Sequence, residues 1–498
     1  MKKTDTNTAR EGIYKRSLLS EDEDSFGTQG RKTRIRKEIQ ENVSQTVELY
    51  LQAYQLILRK QCHALVHTIG LPAELETVVK DLWALRQQML KHKTDTTSDE
   101  DTVFSSQPQS ETETELEGDG GRREYKIRGK AMPTLIETLG LLYHGMVLLR
   151  LPISMGDISC WAIREDIPFI RASPLQPDHL RKTIHNLSTY YTHHFKLIFP
   201  PINAHLLLYK QIRYLALPIT LHPLTLIIAS IMSIDFTFPV PGRRQRTSSL
   251  PELQLTCLLV IATKLYHPFS GPPRHARSFA DPAALALDWS VWIAALKAHD
   301  EALIEEHHFP RGSEINVSEK DALKLTGEQI DEYLDYFERT FIDPERVEQK
   351  ERGLPKQLLD MFPTHRLDGS EPPHYSYQTQ VEKEQIATEQ TLKTVMGSLK
   401  LRPITADEDD VEEVRRIGSL YKRYRRVEDL DGVAKAFHER VAQRVGVSVK
   451  TLVLAVLQIE GMLIKWREMK MKEKEKGVEE DVETKTAQES GNEDSYSD

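Results

Sequence analysis

The 498-residue sequence predicts an all-α fold. Apolar residues recur at helical spacing along most of the chain, as in the run from Leu139 to Leu149. No stretch of useful length alternates polar and apolar residues in the way that a half-buried strand does. Proline and glycine interrupt the apolar runs and divide the chain into separate helices. With 39% hydrophobic residues, a chain of this length has room for about two or three domains.

The net charge of −9 is concentrated in two acidic segments. Residues 94–121 contain nine acidic residues and no basic one, and residues 471–498 contain ten acidic and four basic residues. The rest of the chain is therefore net basic, which permits contact with nucleic acid despite a sequence pI of about 6.1. Both segments lack the apolar side chains needed to offset the entropy lost on ordering, so we expect them to be disordered.

The first predicted helical group covers residues 39–175 and is interrupted by the acidic insert. Its most informative part is an apolar helix that stops ahead of Pro152 and is followed by a short helix. Ser154 or Asp157 is the predicted N-cap of that short helix. Pro168 disfavours helical geometry for the residue before it, so the short helix ends ahead of this point. One face of the short helix is apolar and consists of Ile158, Trp161 and Ala162.

A second predicted group covers residues 178–300. Within it, residues 214–234 carry no charged side chain, as is typical of a membrane span or of a buried core helix. Pro218 and Pro223 leave only Leu224–Ile234 as an unbroken helix, which has a length of about 16 Å. Because this is about half the thickness of a bilayer core, we favour the core helix.

Residues 301–470 are more charged and form a predicted C-terminal helical region. Residues 352–378, which are rich in proline and histidine, are predicted to be an irregular connector. Gly446 and Ser448 imitate the turn of a helix-turn-helix, but the helix that follows is apolar all round and predicts a buried hairpin. Helical spacing recurs in three segments: 328–341, 380–399 and 433–470.

Three basic clusters are candidate contacts with nucleic acid or with a polymerase. The first is a basic arm that precedes the first helical group: Arg31, Lys32, Arg34, Arg36 and Lys37. The second lies in a Pro/Gly loop between two apolar helices, where guanidinium groups suit phosphate oxygens: Arg243, Arg244 and Arg246. The third interleaves cations with tyrosines that stack on bases: Lys422, Arg423, Arg425 and Arg426.

Each basic cluster also has a simpler interpretation. The arm is also compatible with a solvated lead-in to a helix, although its position favours a functional contact. The loop is equally typical of an exposed connection that is kept soluble by charge. The third cluster belongs to the basic segment 415–426, RRIGSLYKRYRR, which directly follows the acidic run at 407–413, so the two segments are candidates for pairing with each other. No P-loop, dinucleotide-binding, H-E-x-x-H or G-x-S-x-G motif is present. We therefore assign no catalytic residue and expect no enzymatic activity.

Several segments, taken in order, resemble one protein family. An apolar helix followed by LPIS, D-I-x-x-W and I-P-F, within residues 139–169, resembles its first cyclin-like repeat. Residues 20–38, SEDEDSFGTQGRKTRIRKE, resemble the acidic patch and basic arm that follow its zinc ribbon. The family is the transcription factor IIB-like subunit of the RNA polymerase I core factor, best known from fungi. The resemblance continues in four further segments: 49–61, 70–86, 251–269 and 445–460.

This resemblance implies two tandem cyclin-like repeats, at 39–175 and 178–300, with a reader or linker arm in residues 1–38 and a C-terminal helical region. It implies a nuclear and nucleolar initiation factor that binds the ribosomal DNA core promoter and recruits RNA polymerase I for pre-initiation complex assembly. The implied partners are that promoter, the polymerase and the other core factor subunits, with the TATA-binding protein as a further candidate. We expect no membrane partner.

A cyclin-like regulatory partner of a protein kinase is the alternative interpretation. Such a partner needs only an apolar helical face, and the basic arm and loop have no role in it. The position of the arm, where the family has its reader or linker, favours contact with nucleic acid or polymerase. The two alternatives therefore differ in what they require of the basic residues.

One feature of the family is missing from this sequence. Family members carry a zinc ribbon, which needs four metal ligands that are usually paired cysteines. Here the only cysteines, Cys62, Cys160 and Cys257, are far apart and each lies in an apolar helical segment. Residues 1–19 contain neither cysteine nor histidine. We expect no zinc cofactor in this sequence; either the ribbon is lost or the sequence starts downstream of it.

Overall fold

The computed structural model describes residues 28–95, 132–169, 175–239, 246–271, 284–303, 324–341, 377–405 and 421–493, with short pieces between 274 and 321 and at 418–419. The all-α prediction is confirmed. The helices in these residues are α1 Thr28–His67, α2 Glu74–Asp95, α3 Leu135–Leu148, α4 Met155–Ile163, α5 His179–Phe195, α6 Ala204–Tyr214, α7 Leu221–Ile231, α8 Pro251–Tyr266, α9 Trp289–Leu303, α10 Gly327–Phe341, α11 Tyr377–Gly397, α12 Gly432–Val445 and α13 Val449–Glu493. Two short strands, β1 Leu285–Ala286 and β2 Lys400–Leu401, pair antiparallel.

The chain divides into two compact units, residues 1–56 and residues 57–498. In the first unit the described residues all belong to α1. The rings of Tyr50 and Tyr54 lie 6.4 Å apart there, as expected for positions one helical turn apart. The rest of α1 and all the other helices belong to the second unit.

Helix α3 is the core of the first helical group, because every residue from Leu139 to Val147 is buried. Helices α2 and α5 pack against it. The hydroxyl of Tyr191 on α5 donates a 2.8 Å hydrogen bond to the carbonyl of Leu82 on α2, which connects the two outer helices. The domain boundary predicted at residues 175–178 directly precedes α5 in the sequence. Because α5 packs on α3, the two predicted groups are in contact across this boundary.

Helix α4 begins with a capping box in which both predicted cap residues take part. The Ser154 hydroxyl accepts a hydrogen bond of 3.0 Å from the Asp157 amide, and the Asp157 carboxylate accepts one of 2.9 Å from the Ser154 amide. Ile158 and Ala162 are fully buried, whereas Trp161 is half-buried. The predicted apolar face is therefore directed at the protein interior.

Helix α8 is the core helix of the second group and is buried along almost its whole length. Helices α6, α7 and α13 pack around it. The Gln211 amide on α6 donates a 2.9 Å hydrogen bond to the Thr256 hydroxyl on α8. The Trp292 indole on α9 donates one of 2.8 Å to the carbonyl of Leu215. These two hydrogen bonds connect α8 to α6, and α9 to the residue that follows α6.

The uncharged segment 214–234 contains α7, which begins at Leu221 rather than at the predicted Leu224. Pro223 is accommodated in the first turn, where a missing N–H breaks no helical hydrogen bond. One face of α7 is buried, and Ile227 on the other face is 53% exposed. Among the described helices, no single one is long and apolar enough to cross a bilayer. The pair Gly432–Val445 and Val449–Lys472 reaches the required length and apolar composition only when taken together, and the two helices are bent by 99°.

The C-terminal helices pack on both groups rather than following them as a separate layer. Helix α12 contacts α4, α8 and α9, and α13 contacts α8. Gly446, at a φ of 72°, forms the turn between α12 and α13, and the amide of Thr451 donates to the Ser448 hydroxyl. The predicted hairpin is therefore present, and the segment predicted as 433–470 consists of two helices.

Three acidic or irregular segments differ from the expectations or lie outside the described residues. Helix α13 continues to Glu493, so residues 471–493 are helical where we expected disorder. The glutamate and lysine residues that make this segment polar also have high helix propensity, which explains the difference. The acidic insert after residue 95 lies outside the described residues, as does the connector 352–378 apart from the start of α11.

Candidate nucleic-acid interface

The first basic cluster lies on the N-terminal part of α1. Because α1 begins at Thr28, the residues Arg31, Lys32, Arg34, Arg36 and Lys37 belong to a helix rather than to an extended arm. Their side chains lie outside the residues that the structure describes. Contact between this cluster and nucleic acid or polymerase stays a prediction.

The second basic cluster is described only at its end. Arg243 and Arg244 lie outside the described residues, and Arg246 is exposed at the start of the short turn Thr247–Ser249. Ser249 closes the turn, because its hydroxyl accepts a 2.9 Å hydrogen bond from the Arg246 amide. The amide of Ser248 donates one of 3.1 Å to the side-chain oxygen of Gln458 on α13. Arg246 is thus presented by a turn that is fixed to α13.

The third basic cluster is fixed to the same helix through Glu460, a carboxylate that is only 2% exposed. The Tyr421 hydroxyl donates a 2.5 Å hydrogen bond to one oxygen of Glu460, and the Arg423 guanidinium lies 3.3 Å from the other. The ammonium of Lys264, on α8, lies 2.6 Å from Glu460. A buried carboxylate requires such partners, so Arg423 stabilises the fold here.

Aromatic rings surround the buried ion pair. The Lys264 ammonium lies 4.4 Å from the centre of the Tyr421 ring and 4.9 Å from that of the Tyr424 ring. Burial lowers the pKa of Lys264, and Glu460 only partly offsets this. Burial also raises the pKa of Tyr424 to about 12. The two tyrosines predicted to stack on bases are therefore occupied by a lysine of the chain itself.

The remaining cations of the third cluster are exposed. Lys422 forms a 2.7 Å ion pair with Asp431, and both side chains are 54% exposed. Arg425 and Arg426 are exposed on the turn that leads into α12. Asp429 fixes that turn, because its carboxylate accepts hydrogen bonds of 3.0 Å from both of their amides. The cluster does pair with carboxylates, but these are Glu460 and Asp431; the acidic run 407–413 lies outside the described residues.

The structure also contains a junction of buried charges that the sequence analysis missed. Glu252, in the first turn of α8, is fully buried. Its carboxyl group accepts a hydrogen bond of 3.0 Å from the Met155 amide at the start of α4 and one of 3.2 Å from the Tyr143 hydroxyl on α3. Burial raises the pKa of Glu252 to about 8. One carboxyl group therefore connects the two helical groups.

Helix α12 reaches the same junction through Arg444. Its guanidinium lies 2.7 Å from Asp157, and Lys210 lies 3.2 Å from that carboxylate. Burial alone would raise the pKa of Asp157, but these two cations outweigh it and hold the pKa below its usual value. Gly156 lies so close to α12 that a Cβ atom there would be 1.8 Å from the Arg444 carbonyl oxygen.

No part of the described chain brings together three or more histidine, cysteine, aspartate or glutamate residues in a metal-binding arrangement. The rings of His63 and His67 lie 4.1 Å apart on α1. Burial, followed by the charge of Glu76, raises the pKa of the neighbouring Cys62 thiol to about 12, which disfavours the thiolate that a metal requires.

Comparison with known proteins identifies both helical groups. The model of the Rrn7/TAF1B N-terminal cyclin domain matches residues 54–178, and that of the Rrn7/TAF1B C-terminal cyclin domain matches residues 173–341. The chain is 20% identical over 442 residues to the RNA polymerase I-specific transcription initiation factor rrn7 of Schizosaccharomyces pombe, covering 78% of this chain and 77% of that protein.

A solved structure is also similar to this chain. It is a chain of the crystal structure of the Saccharomyces cerevisiae core factor, with 16% sequence identity and a TM-score of 0.46, and the match covers 84% of this chain and 97% of that one. The two cyclin models together span more than half of the sequence and follow the order expected from the resemblance. The chain therefore belongs to the Rrn7/TAF1B family of transcription factor IIB-like RNA polymerase I initiation factors.

Proposed function

We propose that this chain is a core factor subunit that binds the ribosomal DNA core promoter and recruits RNA polymerase I. Membership of an initiation-factor family supports this role and disfavours the kinase-partner alternative. The other core factor subunits, the polymerase and the TATA-binding protein are the proposed partners, and the nucleus and nucleolus the proposed location. In this proposal the chain acts by binding and positioning, without catalysis.

The observation that carries the DNA contact is the shared anchor of two basic turns. The turn with Arg246 is hydrogen-bonded to Gln458, and the segment that leads to Arg425 and Arg426 is hydrogen-bonded to Glu460. Side chains two positions apart leave a helix in different directions, so the two turns lie on different sides of α13. Exposed guanidinium groups held in this way can bind phosphate groups without first being ordered.

The other predicted contacts have different roles in this proposal. Arg31, Lys32, Arg34, Arg36 and Lys37 on α1, and Arg243 and Arg244 in the loop, are proposed to contact DNA or the polymerase. Lys422 is proposed to exchange its ion pair with Asp431 for a phosphate, since an exposed pair of this kind contributes little to stability. Arg423 is proposed to position the turn through Glu460 rather than to bind DNA.

Replacing Arg246, Arg425 and Arg426 together with alanine should flatten the dependence of log affinity on log salt concentration. Each guanidinium that binds a phosphate displaces about 0.9 counterion, so the slope should fall by up to about 2.7. The loss should be similar on promoter and scrambled duplexes, because phosphate contacts do not read base sequence. Fluorescence anisotropy of the assembled core factor on labelled duplexes, between about 50 and 200 mM salt, measures the slope.

A variant with the same loss of charge serves as the control. Lys80, Lys182 and Lys297 are exposed on α2, α5 and α9, away from the two basic turns in sequence. Their replacement with alanine should leave the slope unchanged, because distant surface charges are screened at these salt concentrations. An equal slope for both triple variants, with folding intact, would contradict the proposed contact.

A further inference from the structure

The part of α13 that follows Glu460 is rich in apolar residues that are not buried. No side chain from 461 to 472 is buried, and Met469 and Met471 are 58% and 53% exposed. Half of these twelve positions are apolar: Met462, Leu463, Ile464, Trp466, Met469 and Met471. A helix that faces water is normally polar on its outer side, so an exposed stretch of this composition marks an interaction site.

These apolar residues lie on two nearly opposite faces of α13. Met462, Trp466 and Met469 follow one another at intervals of four and three residues and therefore share one face. Ile464 and Met471, seven residues apart, share another face. Residues two positions apart are about 200° apart around a helix, so Met469 and Met471 lie on opposite sides. A partner that covers both faces must enclose the helix.

The rest of the protein holds α13 upstream of this segment. Helices α8 and α12 pack against α13, and Leu452, Ala455 and Ile459 are fully buried there. Among the described side chains of α13, all the buried ones precede residue 461. The apolar residues of 461–472 are therefore not needed to attach the helix.

Cations accompany the exposed apolar residues. Segment 461–472 contains four basic residues and a single acidic one, Glu468. Lys465, Arg467 and Lys472 are all exposed. A protein surface rich in carboxylates is complementary to this charge. A second copy of the same segment is repelled by it, which disfavours self-pairing.

Nucleic acid and anionic membranes also attract cations, but neither fits the apolar residues. A helix that lies on a bilayer buries one apolar face and keeps the opposite face polar, whereas Met469 and Met471 lie on opposite sides. DNA phosphates neutralise cations but leave a large apolar side chain such as Trp466 without a partner. Tryptophan, methionine and arginine are instead enriched in contacts between proteins.

We propose that residues 461–472 of α13 are bound by another protein, whose apolar groove encloses the helix and has aspartate or glutamate residues along its rims. Trp466 and the methionines are the anchors, because flexible methionine side chains adapt to the shape of a groove. The exposed cations orient the helix against the acidic rims. This contact goes beyond the proposed promoter contact, because it requires neither Arg246 nor the turn that carries Arg425 and Arg426.

Photo-crosslinking of the full-length chain in living cells tests the proposal. Benzoylphenylalanine replaces Met469 in one variant, Met471 in a second, and the exposed Lys297 of α9 in a control. Positions 469 and 471 should both crosslink to the same other polypeptide, at peptides that combine apolar residues with aspartate or glutamate. Crosslinks from one position alone, only within the chain, only to a second copy, only to DNA, or only as efficient as the control would overturn the proposal.

A charge variant tests the acidic rims with the purified partner that the crosslinks identify. It replaces Lys465, Arg467 and Lys472 with glutamine, which keeps the apolar residues, and a matched control has the same substitution at the three exposed lysines on α2, α5 and α9. The affinity of the variant for the partner should fall by about tenfold and lose most of its salt dependence, whereas the control should bind like the natural chain. An unchanged affinity would mean that the groove has no acidic rims.

DNA binding by the same variant separates this proposal from the promoter contact. The dependence of log DNA affinity on log salt should not change, because in this proposal these cations contact no phosphate. A flatter dependence would place the segment on DNA and overturn the proposal. Failure of the promoter contact would leave the crosslinks and the affinity for the partner as expected, so the two failures are distinguishable.

Discussion

Replacing Gly156 with alanine should destabilise the protein by at least about 2 kcal/mol, although alanine is the better helix former. A Cβ at this position would lie 1.8 Å from the Arg444 carbonyl oxygen and 2.6 Å from its carbonyl carbon. Both are backbone atoms of α12, so no side-chain rotation relieves the clash. Helices α4 and α12 would have to separate, which also lengthens the 2.7 Å ion pair between Asp157 and Arg444.

Gly461 provides the matched control for this variant. It lies inside α13, and a Cβ there would have no heavy atom within 4 Å. Its replacement with alanine should stabilise the protein by about 0.5 to 1 kcal/mol, because glycine is unfavourable in a helix interior. Urea unfolding of the full chain, followed by the helical circular dichroism signal, measures both variants. Equal stability of the two would mean that α4 and α12 are not in close contact.

The sequence predicts the helices better than it predicts their contacts. Apolar spacing and a capping motif are local signals, so α3 and the start of α4 at Ser154 agree with expectation. Gly156 looks like an unfavourable helix residue in the sequence, because its requirement for close approach comes from α12, far along the chain. Glu252 looks like an ordinary acidic residue in the first turn of a helix, and only the folded chain shows that α3 and α4 bury it.

The basic residues show the same limit. Composition locates the cations of the third cluster, and the acidic run at 407–413 makes pairing between neighbouring segments a reasonable alternative. The carboxylate that binds Arg423 is Glu460, which the sequence places in an apolar helix where a buried charge is not expected. Pairing between segments that distant depends on tertiary structure. Exposed cations such as Arg425 and Arg426 can be separated from structural ones only when those contacts are known.

Replacing Glu252 with alanine should destabilise the protein by about 2 to 4 kcal/mol. The substitution leaves the Met155 amide and the Tyr143 hydroxyl without their hydrogen-bond acceptor in a fully buried place, and it creates a cavity between α3, α4 and α8. Glutamine should be tolerated far better. Its side-chain oxygen can accept from both the Met155 amide and the Tyr143 hydroxyl, as one oxygen of Glu252 does.

The glutamine variant should also change how stability depends on pH. Because the pKa of Glu252 is raised from its ordinary value of 4.5 to about 8, the folded chain keeps this proton while the unfolded chain loses it. Between these values, Glu252 therefore makes the free energy of unfolding fall as pH rises. Glutamine carries no such proton, so the stability of the variant relative to the natural chain should increase from about pH 5 to pH 8. Burial lowers the pKa of His144 to about 4, so His144 makes the free energy of unfolding rise with pH. Both chains contain His144, so its contribution cancels in the difference between them. Urea unfolding of both chains across this range measures it, and a difference independent of pH would show that Glu252 is ionised in the folded protein.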